Sequence, residues 1–303
     1  MKCAKCTRQA EVKIPFQRVA FCREHFIEYF HSRIRKAIGR YRMFSKKDKL
    51  LVAVSGGKDS MGLALALKDL GYDVLLYHIN IGIGEFSDMV QRKVEVFAKE
   101  FDFELEVESV AQNFSGLGLP QLALLTSRKP CSLCGMIKRY LMNRAALRHG
   151  AVLVTAHNLN DEAVNLLRNV MGWDFEQLSR QEPVLPAREG LARKAKPYIF
   201  ISEYESAAYS YIRGIDYVME ACPQSGGATS HFLKRIVGEL ERRFPGFRIN
   251  FVRKFYDNKK SYFPYPEKPV LNRCKICGQP TTGEICSFCR LKLKVEESLS
   301  SKS

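Results

Sequence analysis

The sequence predicts an α/β protein in which helices cover both faces of a parallel sheet and a cysteine-rich module lies at each end. Three observations support this fold class. In the central part of the chain, short apolar stretches alternate with helical stretches, and a βαβα order of this kind builds a parallel sheet. Polar motifs follow two of the predicted strands. Ten cysteines fall into an N-terminal, a central and a C-terminal group.

The N-terminal module is predicted from two pairs of metal ligands. Cys3 and Cys6 form a CxxC pair, and Cys22 and His25 form a CxxH pair. Four soft ligands in two closely spaced pairs suit tetrahedral zinc. The chain starts without the apolar core of a signal peptide and contains no bilayer-spanning stretch. We therefore expect no membrane contact and a reducing, cytoplasmic location, where metal sites are favoured over disulfides.

A basic helix is predicted next, from about Glu24 to Phe44. Its apolar residues recur at helical spacing, so that one face packs while the other is cationic. The whole chain has 48 Lys and Arg against 32 Asp and Glu, which gives a formal net charge of +16. Because such an excess attracts polyanions, the cationic face is either merely solvated or contacts an RNA backbone.

The central elements follow one another as strands and helices. Strands are expected at residues 49–54, 73–79, 103–107 and 151–155, and helices at residues 59–70, 87–101, 133–149, 161–171, 203–212 and 231–244. A loop rich in proline and aromatic residues is expected over 256–269, and the tail after Glu296 is expected to fray. Ligands of parallel sheets bind beyond the carboxyl ends of the strands, so the site is expected at that edge.

The C-terminal module contains two CxxC pairs, Cys274 with Cys277 and Cys286 with Cys289. Two such pairs at short spacing are typical of a zinc site. The segment has little apolar material of its own, so metal binding is expected to stabilise it.

The first polar motif lies between the strand at 49–54 and the next helix, and it reads Ser55-Gly56-Gly57-Lys58-Asp59-Ser60. The glycines allow the backbone to approach an anion closely, the helix start offers free N–H groups, and Lys58 adds a cation. The glycine spacing differs from that of the mononucleotide P-loop. The motif therefore predicts a phosphate site of another kind.

This motif resembles the pyrophosphate loop of the PP-loop ATP pyrophosphatases, which split ATP between its α and β phosphates. The resemblance implies that residues 55–60 hold pyrophosphate and that Asp59 lies at a magnesium ion or at the reacting centre. It further implies that Ala53, on the strand before the loop, and Ile79, on the next strand, flank the adenine.

The second polar motif runs from Thr155 to Glu162, where a strand ends and a helix begins. Asn160 or Asp161 is a suitable N-cap for that helix. The run is also similar to the His-x-x-x-Asp-Asp/Glu run of PP-loop enzymes, which implies that Asp161 binds magnesium and that Ala156 contacts the nucleotide. In this chain Asn160 stands where family members often have a second acid.

Three cysteines remain once each terminal site has its four ligands: Cys131, Cys134 and Cys222. Two chemistries are open to them. Three thiolates can hold a [4Fe–4S] cluster and leave one iron without a protein ligand, since clusters are normally held by four cysteines. Alternatively, one cysteine carries a persulfide and another resolves it as a disulfide.

In combination, the paired zinc sites, the SGGKDS loop, the central CxxC and the distant cysteine resemble the tRNA 2-thiouridine synthetases, the cytosolic thiouridylase group. The resemblance covers essentially the whole chain. It implies thiolation of C2 of a tRNA uridine, with a [4Fe–4S] cluster on Cys131, Cys134 and Cys222. A basic residue after the CxxC is matched by Lys138, four residues after Cys134 and so on the same helical face.

The resemblance also implies cofactors, partners and boundaries. ATP, Mg²⁺, the cluster and two Zn²⁺ are expected, with sulfur from a ubiquitin-like thiocarboxylate carrier or from sulfide, and a homodimer. We expect a zinc module at 1–28, a catalytic domain at 29–225, a helical linker at 226–268 and a zinc ribbon at 269–303.

Alternatives remain from the sequence alone. A 2-thiocytidine-type or other PP-loop tRNA modifier would share the central chemistry by a persulfide route. A non-catalytic zinc adaptor that binds RNA would not release pyrophosphate from ATP. The target uridine, at the wobble position or in the T-loop, is left open.

Overall fold

A six-stranded sheet forms the centre of this computed structural model, which describes residues 1–226, 229–263 and 271–300. Its strand order is β5-β4-β3-β6-β8-β7. The strands are β3 (Lys49–Val54), β4 (Asp73–Asn80), β5 (Glu104–Ser109), β6 (Val152–Val154), β7 (Val184–Leu185) and β8 (Lys194–Ala195). All pairs are parallel except β7 with β8, which is antiparallel. The predicted fold class is confirmed.

Helices cover both faces of this sheet. They are α1 (Arg23–Arg40), α2 (Lys58–Asp69), α3 (Gly84–Glu100), α4 (Val110–Asn113), α5 (Leu119–Thr126), α6 (Pro130–Arg148), α7 (Leu159–Met171), α8 (Phe175–Arg180), α9 (Glu203–Ile212), α10 (Thr229–Arg243), α11 (Phe247–Tyr262) and α12 (Ser287–Ser300). None of the helices in the described ranges is long and apolar enough to cross a membrane.

The sheet separates two apolar cores because successive side chains of a strand point to opposite faces. On β6, Val152 and Val154 belong to the core that contains α1, α2, α7 and α9. Leu153 belongs to the other core, beneath α5, α6 and α12. The apolar face predicted for the basic helix is buried in the first core, at Phe26, Phe30, Ile34, Ala37 and Ile38.

Each end of the chain forms a small antiparallel hairpin next to its cysteines. The N-terminal hairpin pairs β1 (Val12–Ile14) with β2 (Val19–Phe21), and the C-terminal one pairs β9 (Asn272–Arg273) with β10 (Pro280–Thr281). The C-terminal module docks through α12. Phe288 stacks on Tyr140 of α6 with ring centroids 3.8 Å apart and contacts Phe114 at 5.0 Å.

Several predicted helix boundaries differ from the structure, including those at α6, α11 and α12. α6 begins at Pro130, so the central CxxC lies in its first turn instead of before the helix, because proline suits the first helical position. The chain over 256–262 belongs to α11, and the rest of the predicted loop to residue 269 lies almost wholly outside the described residues. α12 continues to Ser300, beyond the predicted fraying point, because Leu291 and Val295 are buried.

The N-cap predicted for α7 is also wrong. The helix begins at Leu159 and its N-cap is Asn158, whose side chain accepts hydrogen bonds from the N–H groups of Asn160 and Asp161. Asp161 completes a capping box by accepting from the Asn158 N–H at 3.3 Å. Asn158 is the N-cap because its reciprocal hydrogen bonds with Asp161 satisfy more free N–H groups than a cap at residue 160 or 161 would.

The stacking of Phe288 generates a stability prediction. Phe288→Ala should lower the free energy of unfolding by about 3 kcal/mol, because it removes a buried ring and leaves a cavity against α6. Denaturant unfolding measures this loss. Leu293→Ala, on the same helix but 37% exposed, is the control and should change little. Equal losses in the two variants would contradict docking through Phe288.

Candidate active site

The two predicted polar motifs lie side by side at the carboxyl edge of the sheet. One follows β3 and the other follows β6, and these strands are parallel neighbours. In the first loop, the Ser55 N–H donates to Ser60 Oγ at 3.0 Å, and that hydroxyl donates to the Gly57 carbonyl at 3.1 Å. Gly56 has φ +79° and a Cβ there would lie 2.8 Å from Val90 Cγ1, so only glycine fits.

Lys58 links this loop to α9. Its Nζ lies 3.1 Å from Asp59 Oδ2 and 3.2 Å from Glu203 Oε1. Burial alone would lower the pKa of Lys58, but Asp59 and Glu203 outweigh it and hold that pKa above its ordinary value. The other oxygen of Asp59 is buried and has no hydrogen-bond partner among the described residues. An unpartnered carboxylate oxygen here suits a cation ligand.

The second motif shares Glu203 with the first. The Asn160 amide donates to Glu203 Oε2 at 3.4 Å, and the Glu203 N–H donates to Asn160 Oδ1 at 3.3 Å. Glu203 therefore places a carboxylate next to Asn160, the position at which family members often have a second acid. Asp161, the predicted magnesium ligand, pairs through Oδ1 with Lys234 Nζ at 3.1 Å.

One cavity of about 510 Å³ joins the nucleotide loop to the central cysteines. It lies where β3 and β4 end and the first turns of α6 begin. Eight of the predicted site residues line it: Ala53, Ser55, Gly57, Ile79, Cys131, Cys134, Lys138 and Cys222. The other predicted residues, Gly56, Lys58, Asp59, Ser60, Ala156 and Asp161, are not part of this lining.

The three cysteines reach this cavity from two segments. Cys131 and Cys134 lie on the first turn of α6, and Cys222 lies in the loop after α9. Burial raises the pKa of Cys134, and the nearby Lys138 ammonium opposes that rise. The Val218 N–H donates to the Gly56 carbonyl at 2.9 Å, so the segment that carries Cys222 is attached to the nucleotide loop.

His78 is a buried residue of this cavity that the sequence did not single out. Its Nδ1 lies 2.9 Å from the Val54 carbonyl oxygen, which can only accept, so Nδ1 carries the hydrogen. Its Nε2 has no hydrogen-bond partner within the described ranges. Burial lowers the pKa of His78, so the ring offers the cavity a neutral acceptor.

Glu203 and Lys234 were not predicted as site residues from the sequence, and they differ in whether a sequence signal marks them. Glu203 directly follows Ser202, which with Glu205 forms the capping box of α9, so a cap motif marks its place at a helix start. Lys234 is one of several basic residues of α10, and no sequence signal distinguishes it.

Both terminal groups bring their ligand atoms together. The atoms of Cys3, Cys6, Cys22 and His25 all lie within 4.8 Å of one another, and so do those of Cys274, Cys277, Cys286 and Cys289. Neighbouring backbone N–H groups outweigh the effect of burial and lower the pKa of Cys3 and of Cys274 to about 6 each. A lowered thiol pKa favours the thiolate that binds metal. Both groups can hold a metal ion.

Comparisons with known proteins assign the chain to a family. The family described as PP-loop domain matches residues 26–220, and that described as 2-thiouridine synthetase TtuA, N-terminal LIM domain, matches residues 2–27. A Thermotoga maritima protein named tRNA-5-methyluridine(54) 2-sulfurtransferase is 42% identical over 98% of this chain and 98% of its own length. The chain belongs to the PP-loop tRNA 2-thiouridine synthetase family.

Further relatives carry the same name. The Thermus thermophilus protein is 41% identical over 96% of this chain and 91% of its own length. A solved structure, "U34-tRNA thiolase NcsA from Methanococcus maripaludis with its [4Fe-4S] cluster", has the same fold, with a TM-score of 0.82 and 24% identity over 96% of this chain and 95% of that one. The predictions of the family and of a sulfurtransferase are confirmed.

A pH prediction concerns His157, in the second motif. Burial, with Lys196 and Lys194 nearby, lowers the pKa of His157 to about 4. An unfolded histidine takes up a proton below about pH 6.5, so the stability contributed by neutral His157 is present above that pH and is lost as the pH falls towards 4.

The free energy of unfolding of the wild-type protein should therefore fall between pH 7 and pH 5. This fall should be about 1–2 kcal/mol larger than the fall measured for the His157→Gln variant over the same pH range. Urea unfolding at the two pH values measures this difference, and other titrating groups cancel between the two proteins. An identical pH dependence in both would show that His157 titrates normally.

Proposed function

We propose that this protein is an ATP-dependent tRNA sulfurtransferase that replaces O2 of a uridine by sulfur to give 2-thiouridine. The observation that carries the proposal is the single cavity shared by the nucleotide loop, three cysteines and Lys138. Relatives at 39–42% identity are named for 5-methyluridine at position 54, which favours that T-loop nucleotide as the target over the wobble position.

ATP would bind with its adenine between Ala53 and Ile79 and its phosphates on residues 55–60. The loop is preformed by the hydroxyl of Ser60, and the start of α2 points free N–H groups at the phosphates. Magnesium would lie between the phosphates and the carboxylates of Asp59 and Asp161. The unpartnered, buried oxygen of Asp59 fits this role.

The carbonyl oxygen at C2 is a poor leaving group, and adenylation makes it a good one. O2 attacks the α-phosphorus of ATP, the bond to the β-phosphate oxygen breaks, and pyrophosphate departs onto the loop. Lys58 and the start of α2 neutralise the charge that develops there. The N3 proton is released as O2 is adenylated. Hydrosulfide, at the oxidation level of sulfide, then adds at C2, AMP leaves with the former O2, and the hydrosulfide proton moves to N3, so no oxidant or reductant is needed.

Cys131, Cys134 and Cys222 are proposed to hold a [4Fe–4S] cluster. Each cysteine of such a cluster binds a different iron, so these ligands stand wider apart than the ligands of a single ion. The thiols of Cys131, Cys134 and Cys222 share one cavity. Among the described residues, only the two terminal groups have all their ligand atoms within 4.8 Å of one another, so the central thiols have the wider spacing that a cluster needs. The cluster would supply an iron without a protein ligand, at which sulfur is held for transfer.

Lys138 would stabilise negative charge on the sulfur side of the cavity, since its ammonium already influences Cys134. A persulfide route remains the alternative, and iron and sulfide analysis after anaerobic purification separates the two. The cluster route requires iron and acid-labile sulfide in the active protein, whereas the persulfide route requires neither.

The terminal groups are proposed to bind one Zn²⁺ each, in modules at 1–28 and 269–303 that flank the catalytic domain at 29–225 and the helical linker at 226–268. The exposed Arg35 and Lys36 of α1 would contact the tRNA backbone together with these modules. A ubiquitin-like thiocarboxylate or sulfide would supply the sulfur to a cytoplasmic homodimer.

The test of the function is thiolation in vitro. Anaerobic protein, ATP, Mg²⁺, sulfide and a tRNA with 5-methyluridine but no sulfur at position 54 should give 2-thiolated nucleoside by mass analysis. Pyrophosphate and AMP should form with it. A non-catalytic adaptor would release no pyrophosphate, and that result would overturn the proposal.

A variant series tests the division of labour within the cavity. Replacing Cys131, Cys134 or Cys222 by Ala should reduce thiolation at least about 100-fold, because the sulfur site is lost, and should change ATP affinity less than about threefold. Ser132→Ala, at an exposed position between two of the cysteines, is the matched control and should keep full activity. Equal losses of ATP affinity and thiolation in all three cysteine variants would contradict this division.

A further inference from the structure

Arg139, on the cysteine-bearing helix, and Lys194, on strand β8, are two cations that the chemistry above leaves unused. Lys194 is half-buried on β8 and Arg139 is exposed on α6. Among the described residues neither has a carboxylate within ion-pair distance or a side-chain hydrogen bond. Their neighbours do have partners, because Lys196 pairs with the buried Glu162 at 2.8 Å.

The guanidinium of Arg139 lies against Gly135, the residue after Cys134. Its Nη1 lies 3.1 Å from the position that a Cβ on Gly135 would occupy, and Gly135 lines the cavity. Arg139 thus folds back over the first turns of α6, the helix that carries Cys131 and Cys134. Its side chain is exposed, so a ligand from solvent can reach it.

Lys194 approaches the same region from the sheet. It pairs in register with Leu153, and its neighbour Ala195 points into the opposite core, so Lys194 points to the face that α6 covers. Asn143, one turn after Arg139 on α6, accepts a hydrogen bond from the Ala192 N–H at 2.9 Å, so the segment that leads into β8 lies against this part of α6. Lys194 therefore faces the cysteine-bearing helix near Arg139.

Two neighbouring cations with no acid at ion-pair distance repel each other unless an anion joins them. Burial, with the charges of Lys196 and Arg139, lowers the pKa of Lys194 to about 8. The position is separate from the ATP phosphates, because two strand spacings, about 10 Å, divide β8 from β3 and its loop.

We propose that Arg139 and Lys194 form a subsite for a backbone phosphate of the RNA, next to the nucleotide that reacts. The inference rests on the proposed tRNA substrate. A guanidinium and an ammonium on one phosphate would fix the register of the chain, so that the target base enters between α6 and the second motif. An RNA is favoured because Arg139 is exposed and the protein carries a net charge of +16.

The test measures equilibrium binding of unmodified tRNA over a salt series, without ATP or a sulfur donor. Arg139→Ala and Lys194→Ala should each weaken binding about 5- to 10-fold, and the double variant should flatten the slope of log affinity against log salt by about 1. Lys194→Arg keeps the charge and should bind nearly as the wild type does. Lys99→Ala, exposed at the opposite edge of the sheet, should have no effect.

A chemical double-mutant cycle assigns the phosphate. A methylphosphonate that neutralises one phosphate beside the target nucleotide should weaken binding to the wild type about 5- to 10-fold and binding to the double variant hardly at all.

The pH dependence of tRNA affinity gives a second measurement. With Arg139, Lys196, Glu162 and His157 around it, Lys194 loses its proton above about pH 8, so wild-type affinity should fall there while that of Lys194→Arg stays level.

Unchanged tRNA affinity in the double variant would overturn the subsite, and so would a loss of ATP affinity as large as the loss of tRNA affinity. Normal tRNA affinity with impaired transfer from a thiocarboxylate carrier would also overturn it, in favour of the carrier. A wild-type protein that binds no tRNA would contradict the proposed function itself. Thermal unfolding confirms that each variant is folded.

Discussion

The parallel pairing of β3 with β4 on one side and with β6 on the other is the constraint on which the whole site depends. Val54 pairs with His78, and Val52 pairs with Val154, so the three strands end at one edge. The nucleotide loop, the adenine-side residue Ile79 and the second motif therefore emerge together. The hydrogen bond from His78 to the Val54 carbonyl ties two of these strand ends by a side chain as well.

Two further contacts turn this edge into a closed site. The N–H of Val218 donates to Gly56, which fixes the segment that carries Cys222 against the nucleotide loop. On the other side, Glu203 at the start of α9 contacts both Lys58 and Asn160. Because both segments lie far along the chain from the loop, the sulfur side and the phosphate side can form only in the folded protein.

The sequence allowed strands β3 to β6, most helices and the motifs to be predicted, because apolar periodicity and glycine-containing loops are local signals. The short strands β1, β2 and β7 to β10, of two or three residues each, were missed because they are too short to show a periodicity. The bounds of α9, Glu203–Ile212, agree with the prediction to the residue. The cap of α7 could not be chosen locally, since Asn158, Asn160 and Asp161 are all capping residues and only the reciprocal bond decides. Glu203, Lys234 and His78 were missed because their importance comes from neighbours that are distant in sequence.

The charges around the cavity show how its two sides differ. On the phosphate side each cation has an acid: Lys58 lies between Asp59 and Glu203, and Lys234 pairs with Asp161. These ion pairs hold the side chains in place before a nucleotide binds. When ATP and magnesium bind, the lysines pair with phosphates instead of carboxylates, and the carboxylates pair with magnesium instead of lysines. Such an exchange costs little side-chain entropy, because the groups are already ordered. On the far side of the second motif, Arg139 and Lys194 have no acid at ion-pair distance among the described residues, so an incoming polyanion meets uncompensated charge. This asymmetry favours selective nucleotide binding at β3 and salt-dependent attraction of RNA at β8.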